Sequence, residues 1–239
     1  MRLLPRQILL AGLALLAASA HAAAPAELTA ALAAFRQDPP PGWSYTQTMA
    51  AGGRSTIERC DAARPEFDRW TLAQKDGRPP TLEEVRVYRE TRTQRSRGGT
   101  APRLSEQLDA TTARLTTQDD ARATYECRLR PSDAGDRTAA HLVATIVVHR
   151  PTGAVERVVL ASTGPFRPAL GVEITSLRTE LAYDPPADGR PALPRAVTTR
   201  LRGTAFWLKS LDDDMTITFT DYARATLPAK DAPAVTGQR

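Results

Sequence analysis

Residues 69–84, RWTLAQKDGRPPTLEE, read as the end of a strand, a tight turn and the start of a helix. Trp70 and Leu72 are the bulky members of the strand, and Asp76-Gly77 supplies turn residues. Thr81 and Glu84 match a capping box, in which the Thr oxygen bonds an exposed N–H while the Glu reaches back. Leu82, Val85 and Tyr88 then form an apolar stripe at helical spacing. Arg86, Arg89 and Arg92 repeat every three residues on another side, followed by Arg95 and Arg97. The helix is expected to end before Gly98-Gly99.

Strand patterns surround this helix. Upstream, residues 25–36 predict a helix with Leu28, Leu32 and Phe35 on one side, closed by Pro39-Pro40-Pro41. Gly42–Ala50 alternates, with Trp43, Tyr45 and Met49 pointing one way, and turns at Gly52-Gly53 into a second strand containing Ile57 and Cys60. Downstream, residues 93–112 are polar and read as a surface connection. From residue 113 the pattern is almost all strand. Residues 142–149 are apolar on both sides and should be central, and Pro151-Thr152-Gly153 predicts a hairpin. The alternation slips phase between Ile174 and Leu177, which predicts a bulge.

The expected class is therefore α+β: an antiparallel sheet of about nine or ten consecutive strands with two helices near the N-terminal end. Thr-rich alternation leaves one face wet and one dry. Two short helices cover so large a dry face only if the sheet curls over them. This predicts a strongly curved sheet, an incomplete β-barrel with both helices on its concave face.

The first 22 residues, MRLLPRQILLAGLALLAASAHA, carry a basic start, a short apolar run and an Ala-His-Ala cleavage site. They read as a secretory signal peptide, so the expected mature protein is exported and periplasmic. Residues 23–228 are expected to form one domain and residues 229–239 a flexible tail. No later run is apolar enough for a membrane-spanning helix. The formal charge of +5 includes Arg2 and Arg6 and falls to +3 without them, too small an excess to indicate a nucleic-acid partner.

Two cysteines, Cys60 and Cys127, stand 67 positions apart. An even pair in an oxidising compartment predicts a disulfide, worth about 4 kcal/mol by loop entropy; two buried free thiols are the alternative. No metal or cofactor is expected. His141 and His149 are eight positions apart on one expected strand, hence about 26 Å apart. There is no CxxC, HxxxH, GxSxG, phosphate-loop or GxGxxG pattern, and no nucleophile–base set. An enzyme is not expected.

Two features remain for function. Trp43, Tyr45, Trp70, Leu72, Leu82, Val85, Tyr88 and Trp207 are candidates to line an apolar cleft, with plain core as the competing reading. Arg86, Arg89 and Arg92 are candidates to meet an anionic headgroup or an acidic partner, with a solvated helix face as the competing reading.

This order resembles the LolA/LolB-like fold of periplasmic lipoprotein carriers. The segments that carry the resemblance are GWSYTQTM at 42–49, RWTLAQKDGRPPTLEE at 69–84 and the late strand opening at Leu193-Pro194. The resemblance implies an incomplete barrel closed by helices around a cavity for acyl chains. The function it implies is binding or carrying a lipid or lipidated partner without catalysis. The second reading is an envelope interaction or sensor module of the same fold whose apolar face is only core. The chain departs from the lipidated carrier in having no Cys after the cleavage site.

Overall fold

The computed structural model describes residues 24–96, 103–132, 136, 138–206 and 208–226. The signal-peptide reading of residues 1–22, the tail at 229–239 and Trp207 lie outside the described residues. Helix α1 (Ala26–Ala34) precedes strands β1 (Trp43–Ala51), β2 (Arg54–Cys60) and β3 (Trp70–Lys75). Helices α2 (Leu82–Ser96) and α3 (Leu104–Gln107) follow. Then come β4 (Leu108–Gln118), β5 (Arg122–Leu129), β6 (Leu142–His149), β7 (Ala154–Ser162), β8 (Phe166–Ala169) and β9 (Val172–Asp184). The chain closes with β10 (Leu193–Ala205), β11 (Lys209–Ser210) and β12 (Asp213–Arg224).

All twelve strands belong to one antiparallel sheet of order β3-β2-β1-β12-β10-β9-β7-β6-β5-β4, with β8 on β9 and β11 on β10. The α+β class holds, with more strands than the sequence predicts because β8 and β11 are too short to show a period. β3 and β4 are the two edges and do not pair, so the sheet is not closed into a barrel. The expected bulge falls at Thr175, where Arg202 pairs with Ser176 and Gly203 with Ile174. The turn after β3 has Asp76 at φ 49° and Gly77 at φ 75°, the two positive angles of a type I′ turn.

The register threads one row of side chains across the sheet. Successive partners are Thr56, Met49, Ile217, Val197, Leu181, Val158, Ile146, Tyr125 and Leu115. Directly opposed residues share a face, so this row marks one face of the sheet from β2 to β4, the face against which α1 packs. Leu181, Val158, Ile146 and Tyr125 are buried, whereas Val197, Ile217 and Met49 are only half-buried. The difference follows α1, whose Leu28, Ala31 and Leu32 are buried in the cluster with β5, β6, β7 and β9. Glu27 accepts a hydrogen bond from Tyr125 Oη at 2.7 Å, and Phe35 meets Tyr183 edge-on at 4.9 Å.

Two expectations are corrected here. Residues 93–112 are not simply a polar surface connection: α3 lies there, β4 starts at Leu108, and Leu104 and Leu108 are buried core residues. The Cys60–Cys127 disulfide is not formed; both thiols are free and buried. Cys60 ends β2 and Cys127 lies in β5, seven strand steps away along the sheet order. That path is about 34 Å along the sheet, so the two cysteines are not on neighbouring strands.

Candidate functional site

Helix α2 shares a cavity lining with residues of β1, β2 and β3 and is tied to the sheet at two places. At its start, the capping box forms: Thr81 N–H donates to Glu84 Oε2 at 2.8 Å and Glu84 N–H donates to Thr81 Oγ1 at 3.3 Å. The same carboxylate accepts both terminal nitrogens of Arg78, at 3.0 and 2.8 Å, and lies 3.0 Å from Lys75 Nζ. Arg78, the Thr81 amide and Lys75 hold the Glu84 carboxyl well below the usual carboxylate range. Since Lys75 ends β3, this cluster anchors the first helical turn to the sheet edge.

The second tie is Arg92. Its guanidinium donates to Glu58 Oε2 at 3.1 Å and sits 3.7 Å from the centroid of the Trp70 ring. Glu58 is 8% exposed, a buried carboxylate on β2 opposite Leu72 on β3. Trp70 is packed edge-on against Tyr45 at 5.5 Å, and Tyr45 also meets Tyr222 at 5.6 Å. Burial among these groups pushes the Tyr45 hydroxyl far above its ordinary range.

Between the ties, about 12 Å of helix arches over the strands. The space beneath is a cavity of about 420 Å³, inside the range of small-ligand sites. Met49, Thr56, Glu58 and Leu72 form its floor. Val87, Tyr88, Thr91 and Arg92 form its roof, and Lys75, Glu83 and Glu84 stand at the helix-start end. Burial first, and the Glu58 carboxylate after it, push the Tyr88 hydroxyl up to about 12 against the opposing Arg92 guanidinium. Thr56 Oγ1 and Tyr88 Oη are both enclosed and make no hydrogen bond among the described residues.

The seven described residues of the eight expected to line a cleft therefore separate. Leu72 and Tyr88 line it. Tyr45 and Trp70 form the aromatic wall behind Arg92. Trp43 is half-buried opposite Arg224, and Val85 is half-buried outside the cavity lining. Leu82 is 91% exposed and faces away, a correction to the Leu82–Val85–Tyr88 stripe. The face α2 turns to the sheet is Glu84, Val87, Tyr88, Thr91 and Arg92, which an apolar stripe cannot reveal because both of its ends are charged.

The arginine run also separates. Arg86 bonds Glu83 and Glu90 on its own helix, Arg89 is exposed, and Arg92 turns inward to Glu58. The three do not form one headgroup-binding set. Among residues missed in the sequence, Glu58 had no signal at all. Met49 was legible from its alternation with Trp43 and Tyr45.

Among the described residues, no group of three or more His, Cys, Asp or Glu side chains is placed to hold a metal ion. His141 stacks on Phe166 at 5.3 Å, and His149 Nδ1 meets Thr152 Oγ1 at 2.8 Å. No helix among the described residues is long and apolar enough to cross a membrane. A scan against protein-family models, and searches of curated proteins and of solved structures, return no match.

Proposed function

We propose that this chain is an exported, periplasmic protein that binds or carries a lipid, acyl chain or lipidated partner beneath α2, without catalysis. The observation that carries the reading is the cavity between α2 and the sheet. Met49, Leu72 and Val87 give it apolar walls, and Lys75, Thr91 and Arg92 supply polar groups in its lining for a polar end. An amphipathic ligand fits that division: its chain lies on Met49 and Leu72 and its head approaches Thr91 and Arg92. The half-buried Met49, Ile217 and Val197 continue the apolar surface from this cavity toward the α1 core. A chain longer than the cavity has an apolar path to follow.

The incomplete-barrel architecture belongs to the same proposal. The core cluster around α1 draws on β4, β5, β6, β7 and β9. Four strand intervals span about 19 Å on a flat sheet, whereas α1, with nine residues, is about 13 Å long and about 10 Å wide. Curvature toward α1 brings all five strands to one cluster. The likeness to lipoprotein carriers of the LolA/LolB type is part of this reading.

A second reading is favoured by one observation. Glu58, Lys75, Glu83, Glu84 and Arg92 put five charged side chains around the cavity, a lining suited to a peptide segment of an envelope partner. Native mass spectrometry of protein purified from the periplasm, combined with titration of a fluorescent fatty-acid probe, separates the two. A co-purifying lipid mass and saturable probe binding are expected. No adduct together with no probe binding leaves the interaction module.

A further inference from the structure

The ends of two hairpins form an apolar tip at one end of the sheet, outside the cleft. Thr199 of β10 pairs with Met215, which pairs with Ala51, the last residue of β1. β10 continues six residues further, to Ala205. It therefore projects about 20 Å along the strand direction past the end of β1, and β9 projects with it. Beyond Ala205 the chain turns at Phe206, while β8 and β9 are joined at Leu170-Gly171.

The two turns are built onto each other. Phe206 N–H donates to the Gly171 carbonyl at 2.6 Å. The Phe206 ring covers Gly171 so closely that an added Cβ would lie 2.7 Å from ring carbons. Gly171 also has φ 75°, so both the ring and the backbone select glycine. Phe206 itself sits at φ 49°, an uncommon angle for a bulky residue. The arrangement presents apolar side chains outward: Leu170 is 97% exposed, Leu208 94% and Phe206 64%.

Charge is graded behind these side chains. Among the described tip residues, 168–172, 205–206 and 208–210, the only charged one is Lys209. The next carboxylate, Glu173, is paired with Arg167 at 3.1 Å. Farther back, Asp212 accepts a hydrogen bond from the Gly203 N–H at 3.2 Å, and Asp214 is paired with Arg202 at 2.7 Å.

We propose that this tip inserts into the surface of a phospholipid bilayer, with Leu170, Phe206 and Leu208 in the acyl boundary and Lys209 at the phosphates. Apolar side chains outermost, a cation behind them and no carboxylate among them is the layering a membrane interface accepts. A protein partner fits less well. Three such side chains offer at most about 500 Å², short of the roughly 800 Å² per partner of a stable protein interface, and the surface is convex. The tip stands at the β1–β2 turn end of the sheet, so insertion brings that end of the α2 cleft toward the lipid.

The test is co-sedimentation of the protein with large unilamellar vesicles of phosphatidylethanolamine and phosphatidylglycerol. The wild-type protein is expected to sediment with the vesicles. Leu170→Ser/Leu208→Ser is expected to lower the partition coefficient at least about tenfold. Its thermal melt should match wild type, because both side chains are almost fully exposed. Lys209→Glu should weaken binding to the anionic vesicles and leave binding to phosphatidylcholine vesicles unchanged. Wild-type protein that stays in the supernatant, or a double variant that binds as wild type does, overturns the proposal. So does a concentration-dependent dimer, seen without vesicle binding, that the double variant abolishes. Val87→Trp, which blocks the α2 cleft, should bind vesicles normally, so failure of the cleft reading and failure of this one are distinguishable.

Discussion

Arg92→Met should destabilise the protein far more than an exposed helix substitution does. Arg92 is the partner of Glu58, whose carboxylate is 8% exposed, and its guanidinium lies 3.7 Å from the Trp70 ring centroid. Removing one partner of a buried pair costs about 3–5 kcal/mol because the remaining charge stays desolvated. Here the Arg92 side chain is 27% exposed, so water reaches Glu58 in the variant and the pair's share falls to about 2 kcal/mol. Loss of the contact with Trp70 adds about 1 kcal/mol. The expected total is about 3 kcal/mol, or about 6–12 °C in Tm for a domain of this size. Glu58→Gln in the Arg92→Met background removes the stranded charge and should recover at least about half of the loss. Urea unfolding followed by circular dichroism at matched m-value reads all four corners of the cycle. An Arg92→Met protein within about 0.5 kcal/mol of wild type, or one destabilised further by Glu58→Gln, contradicts a buried Arg92–Glu58 pair.

Other outcomes follow from the same structure. Leu28→Ala, at the fully buried anchor of α1, should cost about 2–5 kcal/mol in urea unfolding, since it opens a cavity against β5–β7. Burial, with Asp109 and Glu126 as nearby charges, pushes the Cys127 thiol up to about 11. The folded state thus keeps the proton longer than the unfolded chain, and this contribution to stability is present below pH 9 and lost as pH rises toward 11. Unfolding midpoints measured across that interval check the direction, and alkylation should find two slow thiols in the native protein and two fast ones in urea. The Glu84 carboxyl is held low by Arg78, Thr81 and Lys75, so its support of the α2 start is present above the ordinary carboxylate range and lost as acid protonates it. Protection of the Thr81 amide, which donates to this carboxylate at 2.8 Å, against hydrogen exchange should fall below that range, and Glu84→Gln should flatten the dependence.

Local chemistry made much of this fold legible. The Thr81–Glu84 box, the Asp76-Gly77 turn, the Pro151–Gly153 hairpin and the bulge near Thr175 all depend on neighbours in sequence, and each forms as the residues dictate. What depends on strand order was not legible. Cys60 and Cys127 look like a pair by count, yet β12 returns to lie beside β1 and puts them seven strand steps apart along the sheet. Leu104 and Leu108 were hidden in a polar stretch because their burial comes from α1 and β5, not from any local period. The cleft was half legible for a related reason. Leu72 and Tyr88 follow from apolar patterning, but Glu58 and Arg92 are paired across 34 positions and look like ordinary surface charges in sequence.

The cleft beneath α2 is tested most directly by titrating a fluorescent fatty-acid probe into wild type and Val87→Trp. Val87 lines the cavity and is partly exposed, so the indole should fill the space with little change in the thermal melt. Saturable binding to wild type that weakens at least about tenfold in Val87→Trp, a difference of about 1.4 kcal/mol, is the predicted result. Equal binding by both proteins, or none by wild type, contradicts an acyl-chain site between α2 and the sheet.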